Sequence, residues 1–357
     1  MNRNNLIAFA AITLTVVIIA AVVVGKDRSP TYISKESLLP ALSENINEAA
    51  SITLVSNRHK TILERDGETW RIANSDDYPA LFDKVRSLLI NLTELQTKER
   101  KTDNPDLYHY LDVQDPSQPD SNSVQVTVAD EDANVLADVI IGKSRNSKVT
   151  NLQTGLYVRK PDAAHALLVE GRAPASAEKT AWFNPDIVNI TSERVREVII
   201  RHPDGGIVHA YRESPEAGFQ LADLPSDRRV QSRTALNRFG SVLQEISARD
   251  IRALETFSFD QAVETTVRTF GGMIIDIRST RKDDRHYVNF RFSFDADMEN
   301  KATKPANDDA GERIAIGAEA QELQERLGNW VYQIPAFKFE VLTATMDDYT
   351  RRISTTE

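Results

Sequence analysis

Apolar positions along this chain fall into three regimes. Residues 6–25 read LIAFAAITLTVVIIAAVVVG, apolar on every side, with Thr13 and Thr15 as the polar positions. From Ser51 onward, short stretches alternate apolar and polar residues at period two, the pattern of half-buried strands. Two stretches instead place apolar residues on one helical stripe. They are Val85, Leu88, Leu89 and Leu92, and Phe239, Val242, Leu243 and Ile246, at identical spacing.

Around each stripe the same order of elements is predicted. In the first pass, strands at 51–55 and 61–65 lead to an Asp66-Gly67 hairpin turn, a returning strand at 68–73 and a helix from 78 to about 97. In the second, a strand at 197–201, a turn at 203–206, strands at 207–212 and 218–222 and a helix over 232–248 follow in that order. Further strands are expected at 124–129, 135–141, 155–159 and 166–169, and again at 265–270, 273–278, 287–294 and 330–334. A short helix is expected at 318–327. The Gly155-Leu156-Tyr157-Val158 and Gly328-Asn329-Trp330-Val331 segments read as equivalent late strands. The polar stretches 101–123 and 295–312 lack an apolar period and read as mobile, exposed loops, and the chain past Asp347 as a frayed end.

The predicted architecture is α+β. Two tandem repeated modules of mostly antiparallel sheet, each with a covering helix, follow an N-terminal transmembrane helix. Hairpin turns favour antiparallel pairing, and a parallel βαβ sheet would need helices between most strands. The expected division is 1–28 anchor and flanks, 29–50 linker and short helix, 51–175 first module, 176–345 second module and 346–357 tail.

A twenty-residue run without a charge spans about 30 Å as a helix, the thickness of a hydrocarbon core. Its membrane-spanning residues would include Leu6, Ile7, Phe9, Ile12, Leu14, Val17, Ile18, Ile19, Val22 and Val23. The run exceeds a signal-peptide core, and Val23-Val24-Gly25-Lys26 offers no small-x-small cleavage site, so an uncleaved anchor is expected. Arg3 before the run nearly balances Lys26 and Arg28 after it. A short head and a long tail favour a single-pass protein of the cell inner membrane, with most of the chain periplasmic or otherwise extracytoplasmic.

Composition narrows the chemistry. The chain of 357 residues carries a net charge of −10, which disfavours a nucleic-acid partner. It has no cysteine, so disulfides, thiol nucleophiles, Cys-ligated metals and cysteine lipidation are excluded. Neither a G-x-x-x-x-G-K nor a G-x-G-x-x-G loop occurs, so no nucleotide site is expected.

The remaining motifs extend the pattern. Trp70 lies on the returning strand. Further on come Tyr110-Leu111-Asp112-Val113-Gln114-Asp115-Pro116, Val139-Ile140-Ile141-Gly142 and Gly155-Leu156-Tyr157-Val158. Trp182-Phe183-Asn184-Pro185-Asp186-Ile187-Val188-Asn189-Ile190 then leads into the second module. With the apolar N-terminus, these residues resemble the bacterial family labelled "domain of unknown function 4340". Tyr110 departs from the glycine that often precedes the leucine there. The resemblance implies proteins encoded beside ABC-type transporter permeases and ATPases, hence an accessory role. It carries over no catalytic residue.

Several constellations suggest chemistry, and each has a plainer reading. His202 and His209 flank a turn and could share a metal, or be solvated imidazoles. Ser176-Ala177-Glu178-Lys179 fits S-x-x-K but lacks the companion motifs of that catalytic class. Asp295, Asp297 and Glu299 offer hard oxygens without the EF-hand pattern. Arg228, Arg229 and Arg233 form a small basic group, by default a solvated face. Trp182 and Trp330 could stack on sugars or pack a core.

The expected function is a non-catalytic, membrane-anchored accessory or scaffold protein, without cofactor or bound metal, working with an ABC-type permease or other envelope subunits. The alternative is a module binding envelope glycan or another ligand through Trp182 and Trp330. A hydrolase assembled from distant residues is a third class that no spacing proposes.

Overall fold

The computed structural model describes residues 36–146, 153–296 and 309–353. The predicted span at 6–25, with Leu6 through Val23, lies outside the described residues. Among the described residues no helix is long and apolar enough to cross a membrane. The fold is mixed α/β, mostly antiparallel sheet with few helices. The chain groups into two compact units. One holds residues up to Lys60 with Asp83–Ala177, and the other holds Thr61–Phe82 with the chain from Glu178 onward. The hairpin segment 61–82, read with the first module in the sequence, therefore groups with the second unit.

Strands and helices are numbered in chain order. In the first unit, β1 (Ser51–Val55), β6 (Val124–Ala129), β7 (Val135–Asn146), β8 (Gln153–Arg159), β9 (Ala166–Glu170) and β5 (Gln96–Arg100) lie side by side in that order. Every pairing is antiparallel. Period-two patterning puts Ile52 and Leu54 of β1, and Val126 and Val128 of β6, in the core. A short helix α1 (Pro40–Glu44) contributes Leu42. Helix α2 (Phe82–Thr93) buries the predicted stripe of Val85, Leu88, Leu89 and Leu92.

The second unit contains the meander β2 (Lys60–Asp66), β3 (Thr69–Ile72) and β4 (Tyr78–Pro79). Gly67 turns its first hairpin at φ 60°, a conformation glycine adopts without a Cβ penalty. The larger sheet runs β13 (Gln220–Leu221), β12 (Ile207–Tyr211), β11 (Val195–Arg201), β17 (Val263–Thr269), β18 (Met273–Lys282), β19 (Arg285–Phe294), β20 (Trp330–Ile334) and β16 (Asp250–Ala253). Small ribbons pair β10 (Asp186–Val188) with β15 (Ile246–Ser247), and β14 (Arg228–Val230) with β21 (Thr350–Arg352). Helices α3 (Arg233–Leu236), α4 (Asp309–Leu327), α5 (Ala336–Leu342) and α6 (Met346–Tyr349) complete it. The order β11-β17-β18-β19-β20-β16 repeats β1-β6-β7-β8-β9-β5 strand for strand, and in each set the last strand of the row precedes the second in the chain.

Four expectations need correction. The long second helix is instead the single turn α3, a 3₁₀ stretch Asn237–Leu243 and strand β15, although Phe239, Val242, Leu243 and Ile246 are all buried as the stripe requires. Segment 101–123 is not a bare loop. It carries a 3₁₀ helix Pro105–Tyr110, and its Tyr108 and Val113 pack with Ala166. The sheet order matches Gly155–Val158 on β8 to β19, while β20, with Trp330 and Val331, matches β9. The chain past Asp347 is not frayed, since β21 pairs with β14 and Tyr349 is buried. Of the acidic stretch, 297–308 lies outside the described residues, and helix α4 begins at Asp309.

Candidate functional site

A concavity lies on the polar face of the second unit's sheet. Antiparallel register sets Glu264 of β17 opposite Arg278 of β18, and Arg278 opposite Asn289 of β19. One step along, Thr266 faces Asp276 and Asp276 faces Arg291. Alternation along each strand therefore brings these six side chains to one face. With Leu254, Gln324 and Asn329 they line a cleft of about 610 Å³.

The floor is held by hydrogen bonds. Asn289 is buried, and its Nδ2 donates to the carbonyls of Gly328 at 3.0 Å and Trp330 at 2.8 Å. Its Oδ1 accepts from Arg278 Nη2 at 3.1 Å, and the guanidinium also lies over the Phe259 ring at 4.7 Å. Thr266 Oγ1 donates to Asp276 Oδ1 at 2.8 Å. Where β20 leaves β19, Gln324 on α4 accepts from the Phe292 N–H at 2.8 Å, satisfying a strand edge that would otherwise be open. Two cations and two carboxylates face each other in crossed pairs, so the cleft offers many hydrogen-bonding groups with a balanced charge.

Beside it, Glu197 of β11 accepts from Arg268 at 2.8 Å and lies 2.7 Å from His209 Nε2. Burial pushes its carboxyl up, but the hydrogen bonds and charges of Arg268 and His209 prevail and hold it below the usual glutamate range.

A second polar cluster joins the buried Ser75 and Asp250 to the half-buried Lys179 and Arg252. Lys179 Nζ donates to Asp250 Oδ1 at 3.0 Å and to the Asn74 carbonyl. Ser75 Oγ donates to the same carboxylate at 3.3 Å, and Arg252 Nη2 at 3.2 Å. Asp76 accepts from the Ala253 N–H at 2.9 Å and from Thr256 Oγ1 at 3.0 Å. Ser75 is fully buried. This cluster fastens the 73–76 turn to β16, and the lysine of the S-x-x-K match is committed to that ion pair.

The other candidates separate. His202 contacts the Ala344 carbonyl at 3.1 Å whereas His209 meets Glu197, so the turn does not bring them to one metal site. Among the described residues no group of three or more metal-ligating side chains occurs. Trp182 is 2% exposed, a core residue with no ring face for a sugar. Trp330 is half-buried with Tyr78 edge-on at 4.8 Å. Trp70 is also buried. The cleft residues were missed in the sequence because charged residues on a strand look like any solvated face. A usable signal was the Thr–Asp cross-strand pair, which occurs in both sheets as Thr127–Asp138 and Thr266–Asp276.

The motifs behind the family resemblance perform packing. A Cβ at Gly142 would meet Leu111 O at 2.3 Å, so only glycine lets the 110–116 segment cross β7 there. Gly155 is likewise pressed against the Val169 carbonyl, which a Cβ would meet at 2.8 Å. Asn184 Oδ1 accepts from the Asp186 N–H at 3.1 Å, closing a side-chain turn into β10.

Fold and site together define a two-unit, mostly antiparallel protein with one open charged sheet face. The family model described as Domain of unknown function (DUF4340) matches residues 70–266, and the chain belongs to that family. No curated protein and no solved structure matches.

Proposed function

We propose that this is a membrane-anchored, extracytoplasmic accessory protein without catalysis of its own, docked to an ABC-type transporter or related envelope complex. The observation that carries the reading is the uncharged run at 6–25, long enough to span a hydrocarbon core and followed by a charged, folded body. The matching order of six strands in the two sheets supports duplication of one module. The family resemblance supports the transporter context. The test is extraction of the tagged full chain in mild detergent, with the co-purifying proteins identified. A permease recovered in stoichiometric amount is expected. Repeated recovery of the chain alone from an extract containing that permease overturns the reading. Intact chain in the supernatant after ultracentrifugation of broken cells overturns the anchor.

A second reading is favoured by the cleft. Its balanced charges and forked polar side chains suit a neutral polyhydroxylated ligand such as an envelope saccharide. This moves the ligand reading from Trp182 and Trp330 to Glu264, Arg278 and Arg291. Titration of the full chain in nanodiscs with chitobiose is expected to show binding that Glu264→Ala/Arg291→Ala abolishes. Absence of binding at millimolar sugar removes this reading.

A further inference from the structure

The C-terminal strand creates a feature that no stretch of sequence displays. Strand β21 pairs with β14 so that Arg228 faces Arg352 and Arg229 faces Arg351. Every cross-strand pair of this ribbon except Val230–Thr350 is therefore arginine against arginine. Like charges directly opposite each other destabilise a strand pair. Arg228 is neutralised locally, because it binds Asp347 and donates to Thr350 Oγ1 at 3.0 Å. Arg229, Arg351 and Arg352 are exposed and have no carboxylate partner among the described residues. Of the neighbouring acids, Asp348 is occupied by the Thr345 N–H at 2.7 Å and hydroxyl at 2.8 Å, and the exposed Asp227, directly before Arg228, makes no ion pair with Arg229 or Arg351 among the described residues.

The ribbon is firmly seated. Gln231 Nε2 donates to the Asp347 and Thr350 carbonyls at 3.2 and 3.0 Å, and the Ile353 N–H to the Asp227 carbonyl at 2.7 Å. Tyr349 at its base is buried against Phe239, with ring centroids 4.5 Å apart. Successive side chains alternate faces, so Arg229, Arg351 and Ile353 share one face of the ribbon and Arg352 lies on the other with Arg228; in a chain of net charge −10, the opposed Arg229–Arg351 pair is a local cationic site. Ile353, 47% exposed, adds an apolar side chain directly after Arg352.

We propose that this ribbon docks on anionic phospholipid headgroups of the membrane that holds the anchor. The inference rests on the anchored reading, which confines the body to a bilayer surface. Guanidinium forks match phosphate oxygens, and a headgroup phosphate bridging the Arg229 and Arg351 side chains relieves the repulsion of that opposed pair. The exposed isoleucine enters the interfacial layer beside them. An acidic protein would satisfy the charges, but it would not call for an exposed apolar residue at the ribbon's end.

The absence of cysteine permits a clean test. The full chain carrying Ser226→Cys, labelled with bimane, is placed in nanodiscs of phosphatidylcholine alone or with 30% phosphatidylglycerol, each doped with a headgroup-nitroxide lipid. Quenching is expected only with phosphatidylglycerol, and 0.5 M NaCl is expected to remove it. Arg229→Glu/Arg351→Glu keeps a like-charged pair but reverses its sign, and should abolish the quenching. Each arginine is worth about fivefold in surface affinity, so losing both cations is expected to cost about 25-fold and reversing both charges more than that. Equal quenching in both lipids, or quenching that survives the double substitution with an unchanged circular dichroism spectrum, overturns the proposal. Failure to co-elute with the discs overturns the anchor instead. Flotation of the uninserted chain with preformed anionic vesicles then decides the ribbon: flotation lost on double substitution supports it, and no flotation overturns it.

Discussion

The two sheets share their strand order and even a side-chain pair, yet they finish the same face differently. In the first, Thr127 donates to Asp138 at 3.1 Å, and in the second Thr266 donates to Asp276 at 2.8 Å. Beside these pairs, register places Gln125, Ile140 and Arg159 in the first sheet where Glu264, Arg278 and Asn289 stand in the second. Ile140 and Arg159 are buried, whereas Glu264 and Arg278 are exposed. The difference comes from one connection. Between β5 and β6 the chain spends residues 101–123, and these fold over the sheet at Gly142. Between β16 and β17 it spends only 254–262, too few to cover the face. Duplicated frameworks thus diverge most where a connecting segment either covers or leaves open the same strands.

The closed face depends on Arg159. Its guanidinium donates to the carbonyls of Val113 at 3.0 Å, Lys160 at 3.3 Å, Pro161 at 3.1 Å and Ala163 at 3.3 Å, and lies 4.9 Å from the Tyr108 ring centroid. Arg159→Ala is expected to cost about 3–4 kcal/mol, because the buried Val113 carbonyl and three partly buried ones lose their donor together. Its counterpart Asn289→Ala serves two carbonyls and is expected to cost about 2 kcal/mol. Urea denaturation of both variants checks the order, and a larger loss from Asn289→Ala would break the comparison.

Next in size is Gly142→Ala, expected to cost about 1–3 kcal/mol as the 110–116 segment is forced away. The corresponding Thr280→Ala in the open sheet should change stability by no more than about 0.5 kcal/mol. Thermal melts of the two substitutions separate a covered face from an open one.

At one register position the second sheet carries an acid-sensitive pair that the first lacks. At the register position of Ser51 and Ala129 it carries Glu197 and Arg268. Because the Glu197 carboxyl is held below its usual value near 4.5, the folded state binds its proton less readily than the unfolded chain does. Its stabilisation is complete above that value and is lost as pH falls below it. Glu197→Gln should lower stability at pH 7 and flatten the decline between pH 5 and 3, as read by fluorescence-monitored urea unfolding. An unchanged acid limb would refute the assignment.

The smallest effect is expected at Ser279, whose buried hydroxyl has no hydrogen-bond partner among the described residues. Ser279→Ala should leave stability unchanged or raise it by up to about 1 kcal/mol. A loss above about 1 kcal/mol in the same melts would show that the hydroxyl is satisfied in solution.

Local pattern was enough wherever burial follows period. Strands 51–55, 124–129 and 330–334 were read to the residue, and both apolar stripes are buried. The second stripe still misled, since Phe239 to Ile246 bury as a 3₁₀ stretch and a strand rather than as one helix. Apolar spacing specifies which side chains go inward but not which backbone carries them there. The 101–123 segment was misread because its buried residues, Tyr108, Val113, Pro116, Ser121 and Ser123, follow no apolar period.

By itself, the sequence determined an apolar N-terminal run, the antiparallel elements and their recurrence, and family membership through residues that prove to be packing positions. Those properties depend on neighbours a few residues away. Tertiary structure alone decided the cleft, the Lys179–Asp250 cluster and the arginine ribbon. Each joins residues 70 to 180 positions apart or depends on which strand lies opposite which, and cross-strand register is set by the whole sheet rather than by either strand.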